Sequence, residues 1–111
     1  MKTFVKKHKG LDIYFEALEE YIPLHELLPD HTPEQISVIE RENVIFCARV
    51  SAEVNGIELA SCDLGGCIYE NYEDFYTRYK GDYFSEMVKN VYKQSIKEVK
   101  ELRNKLEQVK F

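Results

Sequence analysis

The chain is 111 residues long, 44% apolar and 32% charged, which suits one domain with a modest core and makes two independent domains hard to fit. No run approaches the roughly 20 consecutive apolar residues of a membrane span. The net charge of −5 is uneven, with +4 over residues 1–10, −8 over 11–42, −5 over 43–75 and +4 over 76–111, so an acidic front meets a basic rear.

Residues 1–9 are basic like the start of a signal peptide, but Asp12, Glu16, Glu19 and Glu20 stand where its apolar segment would be, so a cytoplasmic location is expected. Cys47, Cys62 and Cys67 are odd in number and lie in apolar surroundings, which favours thiols in a reducing compartment over a disulfide framework. The spacing also admits a Cys62–Cys67 bridge. A zinc site would need a fourth ligand, and His8, His25 and His31 have no paired spacing to supply one.

Leu11, Tyr14 or Phe15, Leu18 and Tyr21 or Ile22 recur at helical spacing, which predicts a first amphipathic helix over 11–22, interrupted by Pro23. Leu24, Leu27 and Leu28 can add one turn before Pro29-Asp30. Thr32-Pro33-Glu34-Gln35 supplies an N-cap, a proline at the first helical position and a capping-box glutamine, so a short helix is expected from there to about Glu42.

From Asn43 the period becomes two. Val44, Phe46, Ala48, Val50, Ala52 and Val54 fall on one side of a strand, with Ile45, Cys47, Arg49, Ser51 and Glu53 on the other. Asn55-Gly56 is the type I′ hairpin signal, and Ile57 to Leu64 is the returning strand. The two-residue turn predicts Val54 opposite Ile57, Ala52 opposite Leu59 and Glu53 opposite Glu58. That last like-charge pair suits a wet or partner-facing position.

Gly65-Gly66 should end this strand or make a bulge, with Cys67, Ile68 and Tyr69 as a short continuation. Residues 72–79 read as a short helix. Tyr83 to about Val109 carries neither Pro nor Gly and reads as one long helix. Its seam through Phe84, Met87 or Val88, Val91, Ser95, Val99, Leu102, Leu106 and Val109 ends in heptad steps, suited to contact with the first helix or with a second copy. The fold class is therefore α+β: N-terminal helices, a central antiparallel β-hairpin or small sheet, and a long C-terminal helix, in a single domain over 1–111.

The segment Ala52-Glu53-Val54-Asn55-Gly56-Ile57-Glu58-Leu59-Ala60-Ser61-Cys62-Asp63-Leu64-Gly65-Gly66-Cys67, followed by an aromatic-acidic stretch and the helix opening Tyr83-Phe84-Ser85-Glu86, resembles small proteins of bacteriophages and other mobile elements. There a strand, a tight turn, a strand ending in Leu-Gly-Gly and a closing helix recur together. The likeness covers about residues 44–90. It implies a host-defence inhibitor of the anti-CRISPR or anti-restriction kind, acting in the host cell, and it brings no catalytic residues.

Residues 65–84 hold seven of the chain's aromatic side chains. Phe75, Tyr79 and Phe84 fall on the stripes that must cover the hairpin. Tyr69, Tyr72 and Tyr76, interleaved with Glu70, Glu73 and Asp74, suit a protein interface in which carboxylates meet basic partner groups. Glu58 and Asp63 are expected beside them. Lys89, Lys93, Lys97, Lys100 and Lys105 form a basic strip on the last helix, the ground for an alternative reading as a homodimer touching nucleic acid. No nucleophile and base converge in the sequence, and phosphate-loop motifs are absent. The chain therefore reads as a binding protein without cofactor, metal or membrane partner, and the resemblance implies that its partner is a host defence nuclease or ribonucleoprotein.

Overall fold

The computed structural model describes residues 2–77 and 83–109. Two hairpins join into one antiparallel sheet of order β1-β2-β3-β4, made of Lys2–His8, Leu11–Leu18, Val44–Val54 and Ile57–Tyr69. Short helices α1 (Leu24–Leu27) and α2 (Pro33–Glu42) connect the hairpins, and α3 (Asp74–Thr77) precedes the long α4 (Tyr83–Glu107).

The helix expected over 11–22 is a strand. Leu11, Ile13 and Phe15 are buried while Asp12, Tyr14 and Glu16 face the other way, a period of two that the adjacent pair Tyr14-Phe15 disguises as helical spacing. Lys9-Gly10 turns the first hairpin, both residues at positive φ, as Asn55-Gly56 does the second. His8 pairs with Leu11 across that turn.

The long helix and α2 form where the sequence places them. Gln35 N–H donates to Thr32 Oγ1 at 3.2 Å, and Thr32 N–H donates to Gln35 Oε1 at 2.8 Å. This completes the capping box. No residue of α2 is buried, so it is held by its caps and its connections rather than by the core.

β3 and β4 pair as expected at Val54–Ile57 and Glu53–Glu58, but Ala52 meets Ala60 instead of Leu59 because one extra residue bulges there. Gly65-Gly66 does not end the strand. The pair is absorbed in a second bulge opposite Cys47, with Gly66 at φ +71°, and its N–H donates to Glu20 Oε2 at 2.6 Å. A carboxylate thus satisfies an amide that the ladder leaves over.

One sheet face carries the core. Ile13, Phe15, Phe46, Ala48, Val50 and Ala52 lie under Phe84, Met87, Val88 and Val91 of α4. Each large side chain buried there stabilises the fold by about 1.5–3 kcal/mol. The opposite face is largely polar, beside the Phe4–Tyr14 ring pair: Lys7 Nζ donates to Asp12 Oδ1 at 2.9 Å, Arg49 Nη2 to Ser61 Oγ at 3.2 Å, and Arg49 pairs with Glu58 at 3.4 Å. Glu53, expected to be wet, is only 5% exposed and pairs with Lys2. Each of the facing glutamates thus has a cation of its own, Lys2 for Glu53 and Arg49 for Glu58.

His8 lies edge-to-face with Tyr92 at 5.4 Å between ring centroids, and Lys9 lies over the same Tyr92 ring at 4.7 Å. Burial first, then the charges of Lys6 and Lys9, hold the His8 pKa below its ordinary 6.5. The unfolded chain therefore takes the proton first as pH falls. This contribution is present in full above the ordinary value and is lost as pH drops through it towards the lower folded value. We expect the melting temperature to fall more between pH 7.5 and 5.5 in the wild type than in His8→Phe; parallel pH profiles of the two would exclude this role.

Candidate functional site: an aromatic corner with an acidic rim

The inner end of β4 and the turn after it bring seven rings together. Phe75 sits 5.5 Å from Phe15, 6.0 Å from Phe46, 5.5 Å from Tyr69 and 6.1 Å from Phe84, mostly edge to face. Such pairs add about 0.5–1.5 kcal/mol each beyond burial. Phe75 and Phe84 are core as expected, whereas Tyr79 lies outside the described residues.

The remaining tyrosines line the outside of this cluster. Tyr72 packs its ring 5.1 Å from Phe46 yet stays 46% exposed, and Tyr76 lies 5.0 Å from Phe15 and 6.1 Å from Phe84. Tyr69, half-buried, packs on Phe46 at 6.0 Å. Asn71 Oδ1 accepts from Asp74 N–H at 3.0 Å, which starts the short turn α3 and sets Tyr72, Glu73 and Tyr76 around one opening.

That opening is a cleft of about 400 Å³ lined by Thr3, Phe15, Ala17, Tyr72, Glu73 and Tyr76. Phe15, Tyr72 and Tyr76 supply its aromatic lining and Glu73 its carboxylate. Burial, and then the charge of Glu73, raises the Tyr76 pKa, so Tyr76 stays a neutral hydroxyl at physiological pH. The arrangement suits a cation carried on an apolar stem, such as Arg or Lys, with ring faces for the stem and an acid for the charge.

The sequence-derived site residues divide. Tyr72, Glu73 and Tyr76 meet at this cleft, with Tyr69 and exposed Glu70 nearby in the chain. Asp74 is only 4% exposed and belongs to the protein interior. Glu58 and Asp63 are not beside the tyrosines: they pair with Glu53 and Arg49, on the polar face, while Tyr69 pairs with Val44 on the core face. Strand alternation separates them. Phe15 and Ala17 are missed as lining residues because 11–22 reads as a helix, and Thr3 because residues 1–9 read only as a basic segment. The alternation of Leu11, Ile13, Phe15 and Ala17 is the signal that would have found Phe15 and Ala17.

All three cysteines are free thiols, so the alternative Cys62–Cys67 bridge is not formed. Burial raises each thiol pKa, that of Cys67 to about 11, and all stay protonated at neutral pH. Among the described residues no three His, Cys, Asp or Glu side chains converge as metal ligands. On α4, Lys89 pairs with Glu86 at 3.4 Å, and Lys89 and Lys93 share a groove of about 380 Å³ with Asp63 and Glu86. That end of the basic strip is therefore partly neutralised. No helix among the described residues is long and apolar enough to cross a membrane. Comparisons with protein-family models, with curated proteins and with solved structures found no match to this chain.

Proposed function

We propose that this chain is a binding protein whose acidic aromatic corner receives a basic side chain of a protein partner. The observation that carries the reading is the cleft between Tyr72 and Tyr76, floored by Phe15 and rimmed by Glu73. A basic nucleic-acid-binding surface offers the complementary groups, arginines and lysines spaced to meet phosphates. The resemblance of residues 44–90 to phage proteins makes a host defence nuclease the partner proposed, with the corner standing in for nucleic acid. Contact of α4 with nucleic acid is the second reading. Exposed Lys97 and Lys100 favour it, and the pairing of Lys89 with Glu86 opposes it.

Glu73 is exposed, so Glu73→Lys should leave the fold intact and reverse the charge at the rim. A hot-spot loss of about 2 kcal/mol, roughly thirty-fold in affinity, is expected. The check has two readouts: amide shifts of Tyr72, Glu73 and Tyr76 on titration with an arginine-rich peptide, and capture of a nuclease or ribonucleoprotein from nuclease-treated bacterial lysate. Undiminished binding by Glu73→Lys in both would remove the corner from the site. Capture only from untreated lysate would favour the contact through α4.

A further inference from the structure

The molecule is 66 Å long and 24 Å across, with a radius of gyration of 17.6 Å, well above the ~13 Å of a compact domain of this size. The C-terminal part of α4 explains part of that length. Ser95 is its last buried residue, and every residue from Ile96 to Val109 is exposed. A free helical end of that length is marginal on its own in water.

Its apolar residues are nonetheless ordered in one line. At about 100° per residue, the covered set Phe84, Val88, Val91 and Ser95 and the uncovered set Val99, Leu102 and Leu106 share one strip roughly 80° wide. Leu102 and Leu106 are 50% and 53% exposed. The stripe that binds the sheet thus runs on past the point where the sheet stops.

We infer that the partner for this stripe is a second copy of the chain, paired antiparallel. A parallel copy is blocked, because the sheet occupies the same side of α4 further back, where the second helix would have to run. An antiparallel copy meets no such obstacle along the free end. Setting Val99 of one copy opposite Leu102 of the other does the same for the second pair, by two-fold symmetry. In this register Glu98 of each copy flanks Lys105 of the other, so two ion pairs of opposite sign border the seam.

The hairpin end of the sheet completes the surface. Tyr92 meets His8 and lies beneath Lys9, so α4 leaves the sheet at the end where Lys9-Gly10 and Asn55-Gly56 turn. Val54 and Ile57, the pair flanking that second turn, lie on the helix-bearing face and are 36% and 66% exposed. The end of the second helix, with Leu106, comes down on them, and Val109 follows just beyond it. A specific interface buries about 1,200 Å² or more, and this added contact widens the helix pair at both ends.

Sedimentation equilibrium of the full chain tests the pairing. A dimer is expected, with Leu102→Glu weakening it about a hundred-fold and Ile57→Glu about ten-fold while far-UV circular dichroism shows the sheet and body intact. Glu98→Lys should weaken it about ten-fold, and Glu98→Lys combined with Lys105→Glu should restore it. A parallel pair would instead oppose Glu98 to Arg103, and the combined exchange would not restore it. A monomer at every concentration, a dimer indifferent to Leu102→Glu, or failure of the combined exchange would each overturn the arrangement.

Discussion

Phe75→Ala is expected to cost about 3–5 kcal/mol, a large share of the roughly 5–15 kcal/mol that holds a domain of this size. Phe75 is 1% exposed and touches the rings of Phe15, Phe46, Tyr69 and Phe84. It joins β2, β3, the end of β4 and α4 at one point. Truncation leaves a cavity that four aromatic neighbours from separate elements cannot collapse into together. The melting temperature should fall by about 15 °C or more, whereas Phe75→Leu, which keeps most of the volume, should lose much less. A fall of under about 4 °C for Phe75→Ala would show that the ring cluster is not the keystone described.

Asp74→Lys should destabilise the fold by about 3 kcal/mol or more, while the neighbouring Glu73→Lys changes stability by less than about 0.5 kcal/mol. The two acids are adjacent in sequence and opposite in setting. Asp74 is buried in the first turn of α3, where its own N–H donates to Asn71 Oδ1. A lysine there must bury an ammonium or tear the turn open. Glu73 projects into water at the cleft rim. Urea unfolding of both single variants measures the difference, and equal midpoints would place Asp74 on the surface with Glu73. Loss of binding in a variant carrying both changes would therefore not distinguish a lost contact from a lost fold, and only Glu73→Lys reads the site.

Most of the helical and turn chemistry was legible in the chain. Thr32-Pro33-Glu34-Gln35, Asn55-Gly56 and the unbroken run from Tyr83 each act through atoms a few residues apart, so their outcome does not depend on distant neighbours. The strand over Leu11–Leu18 was not legible, since its apolar residues match both periods. The choice went to the strand because Lys2–His8 and Val44–Val54 stand ready to pair on either side of it. The aromatic corner was half legible. Tyr72, Glu73 and Tyr76 were visible as a cluster, but the floor of their cleft comes from Phe15 and Ala17, more than fifty residues earlier in the chain.

The sequence by itself determined an α+β domain with a capped second helix, a tight central hairpin and a long amphipathic C-terminal helix, because capping, turn geometry and periodicity are local. Only the tertiary structure decided that the sheet has four strands, that Glu58 and Asp63 face away from the tyrosines, that Asp74 is interior while Glu73 is not, and that the sheet ends before the apolar stripe of α4 does. Those outcomes depend on which strands pair and in what register, and bulges at Leu59 and Gly65-Gly66 set that register through contacts no local pattern contains.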